Sequence, residues 1–270
     1  MTGPDFDNFC RVVRDQTGIV LTPEKAYLVS SRLIPIARSE KLAGVPELLA
    51  HLRGAPSPAL VQRCVDAMAT HESSFFRDGA PFEQLANEVL PALIAARQST
   101  RTLRFWCAAC SSGQEPYTVA MILQEMGAQL SGWRLEIIAT DMSEPILGKA
   151  KAGLYSDFEA RRGLTPERLK RWFVQQGTGW QVAPPIRQMV QFRPHNLLQG
   201  ASGMGTFDVI LCRNVLIYFD AATKKKILAE VHGTLFRGAW LLLGASETVS
   251  GMDELFERQI VGNTIVYVAR

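Results

Sequence analysis

Between Leu103 and Tyr117 the chain reads LRFWCAACSSGQEPY. A mostly apolar run to Ala109 gives way to Ser111, Ser112 and Gly113. Gln114, Glu115 and Pro116 then open a segment, TVAMILQEM, whose apolar residues recur at helical spacing. A buried parallel strand, a tight loop and a crossover helix require this order of residue types. In an open α/β sheet a ligand sits outside the carboxyl end of such a strand. The loop lacks G-x-G-x-x-G and G-x-x-x-x-G-K-[ST], so neither a dinucleotide nor a triphosphate is its natural occupant. One glycine followed by an acid suits a ligand without phosphates. S-adenosylmethionine has that chemistry: a cationic sulfur, and only a carboxylate for a helix N-terminus to attract.

The 270 residues can bury one large core or two smaller ones. Residues 1–70 read as an all-helical domain. Phe6, Phe9, Val12 and Val13 form one apolar stripe, and Thr22-Pro23-Glu24 starts a helix that Pro35 should kink or divide. Pro46 opens a further short helix, and another follows over 59–69. Residues 71–80 read as a linker. From 81 to 270, helices at 81–97, 115–127, 143–152 and 221–236 alternate with strands at 103–108, 134–140, 206–211 and 239–244. This rhythm predicts a mostly parallel sheet covered on both faces, with one or two final strands in QIVGNTIVYVAR. An interruption near 160–193 breaks the rhythm. Its turn residues, with Trp180-Gln181-Val182 and Met189-Val190-Gln191-Phe192, predict a small antiparallel β-subdomain.

A net charge of +3 is too small to argue for nucleic acid, and Lys224, Lys225 and Lys226 sit at a helix start, where solvated lysines are ordinary. No window has transmembrane length and no leader precedes the first helix, which predicts a cytoplasmic protein without membrane insertion. Five cysteines do not make a disulfide framework. Cys107-x-x-Cys110 has no second pair and no nearby histidines, so both are packing residues and no metal is expected.

Several residues have the chemistry of a ligand site. Asp141 ends a strand where an acid can accept two hydrogen bonds from a ribose diol. Glu115, at the start of the helix after the glycine loop, can attract an ammonium group. The segment THESSFFRD (70–78) concentrates hydroxyl, imidazole and guanidinium groups as a lid over a polar ligand would. Arg213 and Asn214 end a buried strand on the crevice side, and Asn196-Leu197 can meet an adenine.

Taken together, THESSFFRD (70–78), FWCAACSSGQEPYTVAM (105–121), ATDMS (139–143), FRPHNLL (192–198) and FDVILCRNVLIYFD (207–220) resemble the CheR-type chemotaxis receptor glutamate O-methyltransferases of bacteria. The resemblance spans nearly the whole chain. It implies an N-terminal all-helical domain and a Rossmann-like methyltransferase α/β domain with a mostly parallel sheet and a small antiparallel insert. It implies S-adenosyl-L-methionine as cofactor and S-adenosyl-L-homocysteine as its product. Cofactor contacts would fall on His71, Ser73, Arg77, Glu115, Asp141, Asn196, Leu197, Arg213 and Asn214, with Arg77 and Tyr218 beside the transferred methyl. His71 stands where the family commonly has Asn, Ser73 where it has Thr, and Gln114 where it has Glu.

The implied acceptors are glutamates on the cytoplasmic helical bundle of methyl-accepting chemoreceptors, with the β-subdomain edge open to a receptor-tail peptide. A glutamate is already ionised at neutral pH, its ordinary pKa being about 4.3, so no general base is required. Lys25, Arg32, Arg38 and Lys41 would give the second helix a basic face toward an acidic receptor. Two other readings fit parts of the sequence: a methyltransferase for a nucleic acid or metabolite, and a noncatalytic cofactor-sensing module. Against the first, CRNVLIYF occupies the place of the N/D-P-P-[YF] tetrapeptide; against the second, Tyr218, Arg77 and Asp141 occur together.

Overall fold

The computed structural model describes residues 3–270. The chain forms two compact units, Met1–Thr70 with Tyr218–Lys224, and His71–Ile217 with Lys225–Arg270.

In the first unit, α1 (Pro4–Thr17), α2 (Ala26–Ser39), α3 (Val45–Arg53) and α4 (Pro58–Asp66) surround one core. Phe6, Phe9 and Val13 of α1 meet Val29, Leu33 and Ala37 of α2 and Leu48, Leu49, Leu60 and Cys64 beyond. Left-handed Gly18 ends α1 and donates its amide to the Arg14 carbonyl. Pro35 lies inside α2, which runs on to Ser39, so it does not divide the helix. The proline removes one helical hydrogen bond, a cost of about 3 kcal/mol, which burial of Val29, Leu33 and Ala37 on one face offsets. Arg32 also departs from its expected role. Its guanidinium donates to the carbonyls of Met68 at 2.7 Å and Ala69 at 3.1 Å and to the Thr70 hydroxyl at 2.8 Å. It therefore ties down the chain beyond α4, leaving Arg38 and Lys41 as the exposed cations of that face.

The first helices of the second unit are α5 (Ala80–Gln84), a π-turn at Leu85–Val89 and α6 (Leu90–Ala96). Then come β1 (Thr102–Ala108), α7 (Gln114–Glu125), β2 (Arg134–Asp141) and α8 (Glu144–Ala152). The insert comprises β3 (Leu154–Ser156), α9 (Asp157–Arg161), α10 (Pro166–Trp172), β4 (Phe173–Gln176), β5 (Gly179–Val182) and α11 (Pro184–Arg187). The chain closes with β6 (Val190–Pro194), β7 (Phe207–Cys212), α12 (Ala221–His232), β8 (Leu235–Leu243), β9 (Phe256–Val261) and β10 (Thr264–Ala269). Seven strands form one sheet in the order β6-β2-β1-β7-β8-β10-β9. It is parallel from β6 to β8, and β10 and β9 join antiparallel. Phe105, Trp106 and Cys107 of β1 are completely buried, as a central strand covered on both faces must be.

The three-stranded antiparallel sheet, β3-β5-β4, lies within 154–182. Its bounds correct the expected insert. Residues 190–194 pair in parallel with β2, from Ile137 opposite Val190 to Asp141 opposite Pro194, and belong to the main sheet. Hydrogen bonding along β2's outer edge decides this, since the pattern of so short a strand suits either sheet. Leu154–Ser156 supplies the third small strand instead.

Residues 71–80, expected as a linker, pack into the second unit. The fully buried Phe75 ring stands edge-on to Tyr155 at 5.0 Å and Phe173 at 5.3 Å, two aromatics of the insert. Gly163 has φ +96°, and a Cβ there would land on the Phe75 carbonyl oxygen. Phe75→Ala should cost about 3–5 kcal/mol of stability, measured as a lower urea midpoint; an unchanged midpoint would show that this segment contributes nothing to the core.

Candidate active site

Glu115, Asp141, Asn196, Leu197, Arg213 and Asn214 lie just at or beyond the carboxyl ends of β1, β2, β6 and β7, and the His71 and Arg77 carbonyls accept from Ser111 and Arg213 there. The loop after β1 is under backbone strain. Ala109 and Ser111 have φ of 55° and 51°, unusual for residues with a side chain, and Gly113 has 93°. Each such side-chain-bearing residue costs on the order of 1–3 kcal/mol, tolerated where the surroundings over-determine it. Here they do. The Ser111 amide donates to Asp141 Oδ2 at 2.9 Å, and its hydroxyl donates to the His71 carbonyl at 3.1 Å. The Tyr155 hydroxyl donates to the Ser112 carbonyl at 2.6 Å. A Cβ at Gly113 would come within 3.0 Å of Ala150 Cβ and 3.2 Å of the Tyr155 hydroxyl, so only glycine lets the loop pass beneath α8 and start α7.

Asp141 has a structural duty as well as a candidate one. Its Oδ1 accepts from the Ser143 amide at 3.0 Å while Oδ2 holds Ser111. One carboxylate thus fixes the loops after β1 and β2 together, each oxygen keeping a second lone pair for a ligand hydroxyl. The Asp141 carbonyl accepts from the His195 amide. Asn196 follows at once, its side chain accepting from the Leu198 amide at 3.0 Å and starting the single turn Leu197–Gln199. The carboxyl end of β2 thereby places Asn196 and Leu197.

The strongest charge arrangement centres on Arg213, whose side chain is only 1% exposed. Its guanidinium donates to Glu115 Oε2 at 3.1 Å, Asp78 Oδ2 at 2.8 Å and the Arg77 carbonyl at 3.0 Å, and lies 5.0 Å from the Phe82 ring centre. Its buried Nε has no hydrogen-bond partner among the described residues. Burial pushes the Glu115 carboxyl above the usual carboxylate range, and the Arg213 charge opposes that rise. Arg213 is thus turned into the protein: it joins the 71–78 segment, the start of α7 and the end of β7. Arg77 is half-buried and donates to the Glu72 carbonyl at 2.9 Å, while His71 and Ser73 are half-buried on the same segment. Asn214 follows Arg213 in the left-handed region at φ 59°. Tyr218 ends the single turn Leu216–Tyr218 and itself belongs to the helical unit, packed on that unit's core, with its carbonyl accepting from the Val20 amide at 3.0 Å.

Sequence reasoning passed over two residues. Tyr155 ties the insert to the glycine loop, and its only signal was a lone aromatic in a three-residue strand. Glu247 is 8% exposed and follows the apolar end of β8 by four residues; its carboxylate takes backbone amides at the end of β7. An acid just past a buried run at a parallel sheet's carboxyl end was the available clue. A cavity of about 230 Å³ borders this region on the β8–β10 side, lined in part by Asp78, Gly244, Glu247 and Tyr267.

Residues 71–264 match the family described as CheR methyltransferase, SAM binding domain, and residues 4–69 match CheR methyltransferase, all-alpha domain. Chemotaxis protein methyltransferase Cher2 of Pseudomonas putida is 42% identical over 270 residues, covering 98% of both chains. Chemotaxis protein methyltransferase 1 of Pseudomonas aeruginosa is 43% identical over 272 residues, again covering 98% of both. Its namesake from Vibrio cholerae is 40% identical over 266 residues, covering 97% of this chain and 96% of its own.

Arg213→Met should destabilise the protein by about 3–5 kcal/mol at neutral pH, because it strands the buried Glu115 charge. The sign of the pH dependence follows from the raised folded pKa of Glu115. The cost of ionising it is absent below the ordinary carboxylate range, grows as pH rises from there to the folded value, and is complete above it. The deficit of Arg213→Met should therefore shrink on acidification, read as converging urea midpoints of variant and wild type. A deficit independent of pH would contradict the pairing.

Proposed function

Since the chain belongs to the CheR methyltransferase family, we propose that it transfers a methyl group from S-adenosylmethionine to glutamate side chains of chemoreceptors in the cytoplasm, forming methyl esters. The observation that carries this reading is the pair of acids at the carboxyl ends of the sheet. Glu115, its side chain 13% exposed, stands at the head of α7 and Asp141 is locked at the end of β2, where it also holds the single-glycine loop. That donor set fits the cofactor: acceptors for an ammonium and a diol, and no phosphate cradle.

In this reading Asp141 holds the ribose hydroxyls, Glu115 the ammonium, and Asn196 with Leu197 the adenine. His71, Ser73 and Asn214 complete the contacts. Arg213 acts through its partners, keeping Glu115 oriented and the 71–78 segment closed against it. When bound, S-adenosylmethionine supplies a methyl carbon made electrophilic by the sulfonium charge. An acceptor carboxylate oxygen would take that methyl, with the C–S electron pair left on sulfur. The acceptor arrives ionised, so the protein's work is alignment and exclusion of water rather than proton transfer. Arg77 grips the acceptor's nonreacting oxygen or the cofactor carboxylate, and Tyr218 aims the acceptor. A tight pair between Arg77 and the attacking oxygen would instead blunt the nucleophile.

The receptor is an acidic helical bundle, and Arg38 and Lys41 are the exposed cations of α2 and the residue just beyond it that would meet it. Reversing both charges should raise the KM for receptor and leave the affinity for S-adenosylhomocysteine unchanged.

Incubation with receptor-bearing membranes and methyl-labelled S-adenosylmethionine should label receptor glutamates, and alkali should release the label as methanol. Arg77→Ala and Tyr218→Phe should each lower turnover, the former by about 100-fold through lost alignment. An alkali-stable product would exclude the ester. Wild-type turnover and cofactor affinity in both variants would remove both residues from the reaction.

A further inference from the structure

We propose that Glu247 is a positioning residue for the cofactor, holding Asn214 and the end of β7 in their binding conformation; this rests on the cofactor reading above. Strands β7 and β8 pair as far as Cys212 opposite Leu243. Beyond that point they part, and the amides that would have continued the ladder need other acceptors. Glu247 provides them. Its Oε2 accepts from the Asn214 and Gly244 amides, both at 2.7 Å, and its Oε1 from Val215 at 2.8 Å and Ile217 at 3.3 Å. These are charge-assisted bonds to one buried carboxylate, stronger than bonds between neutral groups.

The clamp has two consequences at the site. It lets the strands diverge at their carboxyl ends, where a ligand crevice opens, without orphaned amides. It also fixes the peptide planes on both sides of Asn214, the residue held at φ 59°. Arg213 immediately precedes it, so the same clamp sets the direction from which the Arg213 guanidinium reaches Glu115 and Asp78. Gly244 shows how closely the parts fit: a Cβ there would stand 2.7 Å from Glu247 Oε2, 2.8 Å from Asn214 Nδ2 and 2.9 Å from the Asn214 amide. The amide of a glutamine at 247 would keep one acceptor oxygen and turn donor hydrogens toward two backbone donors.

Calorimetric titration of the full-length protein with S-adenosylhomocysteine tests this. Glu247→Gln should raise Kd about tenfold and raise the KM for S-adenosylmethionine, while kcat at saturating cofactor stays within about threefold of wild type. Gly244→Ala, which presses on the clamp from the other strand, should weaken binding in the same way and decides the matter if Glu247→Gln does not fold. In an Asn214→Gly background, Glu247→Gln should add much less than it does alone, because the group it positions is gone. Wild-type Kd in both Glu247→Gln and Gly244→Ala overturns the proposal, as does an equal penalty in both backgrounds. If the wild type itself takes up no S-adenosylhomocysteine, the cofactor reading fails, and this proposal with it.

Discussion

The buried guanidinium of Arg213 is the interaction on which the site depends. It lies at the end of β7, a strand whose residues are all buried, and it contacts two carboxylates from separate parts of the chain. Removing a charge from water is expensive, so each partner must stay in place for the others to remain tolerable. The 71–78 segment, the head of α7 and the end of β7 are thereby held as one object. Burial pushes Glu115 toward its neutral form, and the Arg213 charge opposes that push.

Carboxylates do similar work elsewhere along the same edge of the sheet. Asp141 joins the loops after β1 and β2, and Glu247 joins the ends of β7 and β8. In each case an acid accepts backbone amides that have run out of strand partners. Of the seven side-chain-bearing residues with positive φ among the described residues, Phe76, Asp78, Ala109, Ser111 and Asn214 lie in the segments these acids and Arg213 bind. Strain is concentrated where ligand contact is proposed, and the anionic anchors hold it there.

Much of this was legible in the chain. The unbroken apolar run of β1 and the glycine before Gln114 are local signals, and they fix a strand, a loop and a helix whatever lies around them. The acids Glu115 and Asp141 follow from position, because a parallel sheet presents its carboxyl ends to a ligand. Less legible were features set by pairing at a distance. Residues 190–194 looked like part of the insert because their pattern suits either sheet, and the open edge of β2 decided the matter. Arg32 looked like a surface cation, yet it serves the carbonyls of Met68 and Ala69. Arg213 is a candidate ligand contact by position alone, and its pairing with Glu115 and Asp78 has no local signal.

The amino-acid sequence by itself determined the helical and α/β parts, the alternation of the principal strands and helices outside the insert, and the chemical types placed after those strands. Periodicity, glycine and acid placement are properties of neighbours along the chain. Only the tertiary structure decided which of those side chains are paired with one another inside the protein. A hydrogen bond or ion pair between residues about a hundred positions apart, such as Glu115 with Arg213, leaves no trace in either one's local sequence. It exists because folding brings both out of water to the same spot, where each charge must find the other.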